Sequence, residues 1–166
     1  MKITWRNGEV PEGMKIKQVY GLVFTTDGRM LIRIEYVNGK RNYTLAGGRP
    51  EVYDKDRVAT LRRELIEEVN TEIEDEVIMV GYQEIDEENG KPAYAQVRMT
   101  AIIKNIGEKL PDPDTGDTYD RLLTTPEKAI KLINWGEVIE KQIMRAKEIA
   151  IEKLGIKDFR DYDEEV

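Results

Sequence analysis

A cluster of glutamates near the middle of the chain has the spacing that binding of a divalent cation requires. Within residues 47–71, GGRPEVYDKDRVATLRRELIEEVNT, the side chains concerned are Glu64, Glu67 and Glu68, which follow Arg63. Residues three and four apart on a helix are neighbours on its surface, so these carboxylates can converge. Carboxylate oxygens are the ligands that Mg²⁺, Mn²⁺ and Ca²⁺ prefer. The segment therefore predicts an oxygen-lined metal site.

The apolar residues of this segment predict the helix that would present the glutamates. They recur at steps of three and four: Val58, Leu61, Leu65 and Val69. This periodicity is typical of one buried helix face and predicts a helix over 56–69. Asn70 follows, and asparagine tolerates the left-handed conformation that often ends a helix. On a helical wheel the glutamates share one flank, and Glu68 borders the apolar face.

Two interpretations of this acidic flank stay open from the residues alone. The chain has 33 acidic residues, and exposed glutamates are common without any role, so the flank is also typical of a solvated surface. Against that, Glu64 and Glu68 form a like-charge pair in the C-terminal half of the helix, where the helix dipole also disfavours anions. A bound cation would reverse the sign of both effects.

The composition excludes several classes of site. The 166 residues include no Cys and no His, which excludes disulfides, Cys/His zinc sites, thiol nucleophiles and a Ser-His-Asp triad. Acid–base chemistry is therefore left to Asp, Glu, Lys or Tyr. The 26 basic and 33 acidic residues give a formal net charge of -7, which disfavours binding to nucleic-acid polymers. The length fits one domain over 1–166.

Strand patterns lie on both sides of the predicted helix. Runs rich in β-branched and aromatic residues predict strands over 15–26, 29–36, 41–45, 76–85 and 93–106. The pair Asn38-Gly39 suits a tight hairpin between the second and third of these strands. A glycine-rich loop over 46–50 ends the third strand and leads towards the helix.

The C-terminal part predicts a loop and helices. Residues 111–120 are rich in Pro, Asp and Gly and indicate a loop. Thr125 followed by Pro126 is typical of a helix start. A long helix is expected over about 134–154, and the acidic segment 156–166 is expected to be a flexible tail. The order of strands and helices predicts an α+β fold.

The glutamate segment and the loop before it together resemble the Nudix box of the Nudix hydrolases. That box reads Gly, five residues, Glu, seven residues, then Arg-Glu-apolar-x-Glu-Glu-x-Gly-apolar. The residues that match its second half are Arg63, Glu64, Leu65, Glu67 and Glu68. The residues that match the usual opening, Gly-Gly-x-x-Glu, are Gly47, Gly48 and Glu51. The resemblance implies the family's α/β/α sandwich with a mixed β-sheet.

Three features depart from the box. The loop from Gly48 to Arg63 is one residue longer than the pattern. Lys55 occupies the place of the first box glutamate, with Asp54 and Asp56 on either side of it. An asparagine replaces the closing glycine. In the family the first box glutamate supports the arginine and the loop, so its replacement concerns catalytic efficiency more than metal binding.

The resemblance implies the metal and its ligands. Mg²⁺ or Mn²⁺ would be bound by Glu64, Glu67 and Glu68. The backbone carbonyl of Gly47 or Gly48 would be a further ligand, and we include Gly48 in the predicted metal site.

The resemblance also implies catalytic roles. The predicted catalytic residues are Glu64, Glu68 and Arg63, where Arg63 would orient the carboxylates without contacting substrate. Glu68 is the favoured general base, and the alternatives are Glu84, Glu87 and Glu88. Glu51 would support the loop or reach a second metal.

Substrate contacts are predicted from two further segments. The candidate substrate-binding residues are Glu51, Tyr94, Arg98 and Arg121. Tyr94, Gln96 and Arg98 alternate along a strand, so they would line a cleft from one face, although a solvated sheet face is equally compatible. Arg121 follows the Asp-rich loop and would reach a base or a phosphate, or else be structural. Within that loop, residues 112–117 depart from the calcium-loop pattern and fit a turn better.

The function implied by the resemblance is metal-dependent hydrolysis of a pyrophosphate bond in a nucleoside diphosphate linked to another moiety. The alternative is a non-catalytic module of the same fold that binds a nucleotide or a protein partner. We expect a small nucleotide-like diphosphate as substrate, and no nucleic-acid polymer or membrane as partner, and we leave a homodimer open. No apolar leader is visible at the N-terminus, so a cytoplasmic location is expected.

Overall fold

Nine strands and three helices make up the computed structural model, which describes residues 1–166. The strands are β1 (Lys2–Asn7), β2 (Ile16–Phe24), β3 (Met30–Val37), β4 (Lys40–Thr44), β5 (Gly47–Gly48), β6 (Thr71–Asp86), β7 (Tyr94–Ile106), β8 (Asp120–Thr124) and β9 (Glu164–Glu165). The helices are α1 (Arg57–Val69), α2 (Pro126–Ile133) and α3 (Glu137–Glu152). No helix combines the length and the apolar character that crossing a membrane would require.

One mixed sheet joins all the strands. Its order is β1-β6-β7-β2-β3-β8-β9, with β4 paired to β3 and β5 paired to β2. Strands β2 and β7 are parallel, whereas β2 and β5 are antiparallel. In these registers Tyr20 of β2 lies opposite Gly47 on one side and opposite Arg98 on the other. The central strand β2 therefore connects the glycine loop to β7.

Helices cover both faces of this sheet and close two hydrophobic cores. On one face, Leu61 and Leu65 of α1 pack in a core that includes Val23 of β2. On the other face, Phe24 of β2 belongs to the core that α2 and α3 complete, including Ile143. Val23 and Phe24 face opposite sides because successive side chains of a strand alternate. The predicted α+β class and α/β/α sandwich with a mixed sheet are confirmed.

Helix α1 begins and ends at residues whose side chains suit those positions. The Asp56 carboxylate accepts a hydrogen bond from the backbone N–H of Ala59 at 2.9 Å, which caps the N-terminus. Asn70 ends the helix in the left-handed conformation, with φ 44° and ψ 50°. Its side-chain amide donates to the carbonyl of Glu108 at 2.9 Å. The predicted helix is confirmed, and Asn70 caps its C-terminus as expected.

The predicted strands are present, but the sheet is larger than the sequence indicated. The five strands predicted from composition correspond to β2, β3, β4, β6 and β7. Strands β1 and β8 were not predicted, and β6 begins at Thr71, where the pattern indicated residue 76. β1 is an edge strand whose side chains are only partly buried, so it lacks the run of apolar residues that marks a central strand.

The C-terminal helices also differ in detail from the prediction. Asn134 is not the start of the long helix but the left-handed cap of α2, with φ 57°. Gly136 precedes α3 with φ 70°, and α3 then runs over Glu137–Glu152. Asn134 and Gly136 both have positive φ, so a right-handed helix cannot run through them and α3 begins after Gly136.

The segment 156–166 is seated against the sheet in this structure, whereas the sequence indicated a flexible tail. Ile156 is buried in the core under α3. Strand β9 pairs with β8, and the side chain of Arg29 donates to Glu164 at 3.0 Å. Arg121 donates from Nε to the main-chain oxygen of Val166 at 3.1 Å. The segment thus supplies hydrogen-bond acceptors to two buried arginines that are distant in the chain. The local sequence of the segment does not indicate these contacts.

Candidate metal and active site

The glycine loop packs closely against helix α1 at Gly48 and against strand β2 at Gly47. The backbone N–H of Gly47 donates to Oε1 of Glu68 at 2.7 Å. A Cβ atom on Gly48 would overlap the carboxylate of Glu64. A Cβ atom on Gly47 would overlap the main-chain oxygen of Val19. The paired glycines therefore bring a main-chain segment against two of the predicted carboxylates.

Glu64 and Glu68 are buried, whereas Glu67 is partly exposed. Their placement agrees with the helical wheel, on which Glu68 borders the apolar face of α1. Glu64 lies against Gly48, Glu68 accepts from the N–H of Gly47, and Glu67 shares a hydrogen bond donor, Arg63, with Glu64. A buried carboxylate needs hydrogen-bond donors or positive charges that compensate for its lost hydration.

Arg63 is the centre of a charge network on the exposed side of the site. It donates from Nε and Nη2 to both oxygens of Asp54, at 3.0 and 2.9 Å. From Nη1 it donates to Glu64 at 3.0 Å and to Glu67 at 3.1 Å. Its Nη2 also donates to the carbonyl of Arg49 at 2.9 Å. Arg63 thereby fixes two of the candidate ligands relative to the loop.

Asp54 supplies the support that the missing box glutamate was expected to give. Besides its paired contacts with Arg63, it accepts from the hydroxyl of Thr60 at 2.8 Å and from the backbone N–H of Glu51 at 2.9 Å. The side chain is 5% exposed. The Arg63 guanidinium holds the pKa of the Asp54 carboxyl far below its usual range. Of the two aspartates that flank Lys55, Asp54 holds the arginine and the other caps the helix.

Arg33 of β3 reaches the same site from the opposite side and was not predicted. It donates from Nη1 to Oε2 of Glu68, and its guanidinium lies 4.4 Å from the ring centre of Tyr119. Its Nε is buried and has no hydrogen-bond acceptor. Local sequence could not have shown this pairing, because 35 residues separate Arg33 from Glu68.

Two aspartates of the β7–β8 loop join the cluster, and the sequence did not predict them either. Carboxylate oxygens of Glu67, Asp112 and Asp114 lie within 4.8 Å of one another. Asp112 is buried, and its side chain accepts from the backbone N–H of Asp114 at 2.9 Å. The turn predicted for this part of the chain therefore carries its carboxylates to the edge of the glutamate site.

The electrostatics of the site favour uptake of positive charge. The pKa of Glu68 is raised to about 7, chiefly by burial and also by the charges of Glu64 and Asp112, while Arg33 and the hydrogen bond from Gly47 oppose the rise. Burial also raises the pKa values of Glu64 and Glu67. Carboxylates that are crowded and poorly hydrated are stabilised either by protons or by a cation.

Other predicted residues lie in different places. The side chain of Glu51 is exposed, and only its backbone contributes to the loop through the contacts with Asp54. Arg121 is buried and donates to the carbonyls of Val69 and Gly107 at 2.9 and 2.6 Å. Through these contacts and the one to Val166, Arg121 joins three chain segments by hydrogen bonds to their main-chain oxygens. Its guanidinium is thus used within the protein.

The residues predicted on β7 separate into two groups. Tyr94 donates from its hydroxyl to Glu87 at 3.2 Å and lies under the ammonium of Lys17. Gln96 and Arg98 instead line a cavity between the sheet and α3. Of the three residues predicted to line one cleft, Gln96 and Arg98 line this cavity and Tyr94 does not.

The alternative general bases have partners near the β6–β7 turn. Glu84 accepts from Arg6 at 3.0 Å, and Glu88 accepts from the N-terminal ammonium at 3.0 Å. Glu87 accepts from Tyr94, as described above. Among the four predicted bases, Glu68 is the one that lies in the carboxylate cluster.

Solved structures share this fold at low sequence identity. The pyrophosphohydrolase BsRppH of Bacillus subtilis aligns with a TM-score of 0.62 over 93% of this chain and 93% of that one, at 16% identity. A NUDIX hydrolase from Nitrosomonas europaea aligns with a TM-score of 0.57 over 89% and 98%, at 14% identity. MutT, described from Aliivibrio salmonicida and Vibrio cholerae, aligns with a TM-score of 0.58 over 78% and 97%, at 16% identity.

These likenesses show that the chain has the fold of the Nudix hydrolases. No protein-family model matches the chain, and no curated protein matches it in sequence. The resemblance read from the glutamate motif therefore agrees with the three-dimensional fold.

Proposed function

We propose that this protein is a metal-dependent hydrolase that cleaves a pyrophosphate bond in a nucleoside diphosphate linked to another moiety. The observation that carries the proposal is the placement of Glu64 and Glu68 against the Gly47–Gly48 segment, with Arg63 joining Glu64 to Glu67. The shared fold supports it, because solved relatives of this shape include a pyrophosphohydrolase.

The donor set of the site fits a hard divalent cation. All its side-chain donors are carboxylates, and none is nitrogen or sulfur, which favours Mg²⁺ or Mn²⁺. Glu64, Glu67 and Glu68 would hold the metal, with the carbonyl of Gly48 as a further ligand. The carboxylates of Asp112 and Asp114 extend the same donor set through Glu67.

The chemistry that such a cation supplies is positive charge, which offsets the repulsion between a diphosphate and the acidic site and favours cleavage. Glu68 would accept the proton of the attacking water, because it is the predicted base that lies at the glycine loop beside the other candidate ligands. Arg63 would keep Glu64 and Glu67 in place through its two hydrogen bonds. Arg33 would hold Glu68 from the other side of the cleft.

Hydrolysis tests the proposal directly. The protein is incubated with nucleoside triphosphates, nucleotide sugars, ADP-ribose and dinucleoside polyphosphates, with and without Mg²⁺ or Mn²⁺. We expect metal-dependent turnover that Glu68→Gln lowers at least about 100-fold, the usual contribution of a general base. Glu76→Gln is the control, because Glu76 is an exposed glutamate on β6 outside the site.

Three results would contradict parts of the proposal. Turnover that needs no metal would rule out the metal site as its cause. Turnover that Glu68→Gln leaves unchanged would remove Glu68 as the base. Saturable nucleotide binding with no turnover on any substrate would replace the hydrolase by a binding module of the same fold.

A further inference from the structure

A second candidate site lies on the α3 side of the sheet, between β2 and helix α3. It is a cavity of about 290 Å³ whose walls come from β1, β2, β6, β7 and the start of α3. Tyr20, Trp135 and Val138 give it apolar walls, while Gln96 and Arg98 give it polar groups. Trp135 is 43% exposed at the cavity, although tryptophan usually buries most of its surface. A ligand site of this kind combines apolar walls with a few directed polar groups.

Arg98 is a buried cation that no carboxylate neutralises. Its side chain is 2% exposed, and its Nε donates to Oε1 of Gln142 at 2.8 Å. Its Nη1 makes only a long contact of 3.4 Å with the carbonyl of Gln96, and its Nη2 has no acceptor in the protein. The amide nitrogen of the fully buried Gln142 also lacks an acceptor. Donors therefore exceed acceptors at this place.

The other two deeply buried arginines show what Arg98 lacks. Arg29 pairs with Asp27 at 3.1 Å and with Glu164 at 3.0 Å. Arg121 binds the main-chain oxygens of Val69, Gly107 and Val166. Leaving a buried ion without such partners is costly, so proteins rarely do so. Burial lowers the pKa of Arg98 to about 10, and the guanidinium still carries its charge at neutral pH.

We propose that the cavity binds an oxyanion, a carboxylate or a phosphate group, on Arg98. A guanidinium matches such groups in shape and charge, because its N–H donors bind two oxygens at once. Gln142 fixes the orientation of the guanidinium through Nε and leaves Nη2 free. The aromatic walls contributed by Tyr20 and Trp135 favour an oxyanion that is attached to a flat apolar body.

If the proposed hydrolase function holds, the position of Arg98 indicates which part of the substrate would carry the oxyanion. Tyr20 lies opposite Gly47 in one neighbouring strand and opposite Arg98 in the other. The backbones of Gly47 and Arg98 are therefore two strand spacings apart, about 10 Å. The oxyanion would therefore belong to the moiety remote from the bond that is cleaved, and the substrate would carry an acidic group besides its pyrophosphate.

Binding of small aromatic probes without metal tests the site independently of hydrolysis. The probes are benzoate, phenyl phosphate and benzamide, which is the neutral analogue of benzoate. The first measurement follows the Nε–H signals of arginine side chains by NMR during titration of the unmodified protein. We expect the Arg98 signal to shift with at least one of the two anions, and the Arg121 signal to stay unchanged as an internal control.

The second measurement compares affinities by calorimetry. We expect the better anion to bind at least about tenfold more tightly than benzamide, since charge-assisted hydrogen bonds are stronger than neutral ones. Arg98→Met, which replaces the buried charge by an apolar side chain of similar length, should abolish that preference. Arg145→Met is the control. Arg145 lies on helix α3 and pairs with Glu148, so this variant should retain the preference for the anion.

The outcomes separate this site from the hydrolase. Binding of benzoate alone, or of phenyl phosphate alone, supports the proposal and names the oxyanion. Equal binding of benzoate and benzamide, or no shift of Arg98 with any probe, overturns it. Anion binding at Arg98 in a protein that hydrolyses no diphosphate would support the oxyanion site and contradict the proposed hydrolase function.

Discussion

Two arginines form ion pairs with the carboxylates of the candidate site. Arg63 contacts Asp54, Glu64 and Glu67 at once, and Arg33 contacts Glu68. Each guanidinium therefore stabilises one set of carboxylates in the ionised form while burial opposes ionisation. A change at one position of such a network alters the charge that its neighbours experience, so its effects depend on pH.

Asp54→Asn tests this network through stability. The folded protein holds the pKa of Asp54 well below its unfolded value, so ionised Asp54 stabilises the fold above about pH 4 and progressively less as the pH falls further. We expect the substitution to lower the free energy of unfolding by about 2 kcal/mol at pH 7, from the loss of charge-assisted hydrogen bonds. The difference should narrow below pH 4. Denaturant unfolding at several pH values measures it.

Asp56→Asn is the matched control for that experiment. Asp56 lies two residues away and caps α1, and asparagine caps a helix about as well as aspartate. We expect almost no change in stability from it. Equal losses for the two variants at every pH would contradict the role of the Asp54–Arg63 pair.

The sequence predicted one side of this site and not the other. Glu64, Glu67 and Glu68 are visible because the helical period groups residues that are close in the chain. It left Asp54 and Asp56 as equal candidates for the support of Arg63, since spacing alone cannot decide which carboxylate turns inward. Arg33 and the aspartates of the β7–β8 loop were missed because they are distant from the helix in the chain and only the folded structure brings them to it.

Two elements, the short strand β5 and helix α1, form the site by their close approach. The backbone of Gly48 lies against Glu64, and that of Gly47 lies against Val19 and Glu68. At Gly48 the obstacle to a larger residue is the end of a flexible side chain. At Gly47 it is rigid backbone, so the two glycines have different tolerances to substitution.

Gly48→Ala and Gly47→Ala should therefore give different results. We expect Gly48→Ala to push Glu64 away from Arg63 and to lower the affinity for Mn²⁺ at least about tenfold, equivalent to about 1.4 kcal/mol, with a small change in melting temperature. Gly47→Ala should destabilise the fold itself by more than about 2 kcal/mol, since β2 and β5 must separate. Calorimetric Mn²⁺ titration and thermal unfolding distinguish them. Unchanged Mn²⁺ binding by Gly48→Ala would contradict the placement of the metal site.

At this scale the sequence predicted the long elements and, apart from β4, missed the short strands. Helix α1 and strands β2, β3, β6 and β7 carry enough periodic residues to be recognised. Strands β5 and β9 have two residues each, and β8 has five, so their sequences contain almost no pattern. They exist because neighbouring strands offer unpaired backbone groups, which is a property of the assembled sheet.

The whole molecule concentrates part of its negative charge at one place. Its formal net charge is -7, and five carboxylates act on one another electrostatically at the candidate site: Glu64, Glu67, Glu68, Asp112 and Asp114. Many other acidic residues are paired on the surface, as Glu164 is with Arg29. Cations can therefore act on the protein in two ways, by general screening of its net charge or by occupying this site.

Thermal unfolding separates the two effects. At a free Mn²⁺ or Mg²⁺ concentration about 100 times the dissociation constant, site binding should add about 2.7 kcal/mol to the free energy of unfolding and raise the melting temperature by about 5–10 °C. NaCl at matched ionic strength should give a much smaller rise, because it screens charge without occupying the site. A double variant, Asp112→Asn with Asp114→Asn, should lose part of the metal-induced rise, whereas Asp117→Asn, an exposed residue of the same loop, should keep it. An equal rise with NaCl, or an undiminished rise in the double variant, would show that screening or the helix glutamates alone account for the stabilisation.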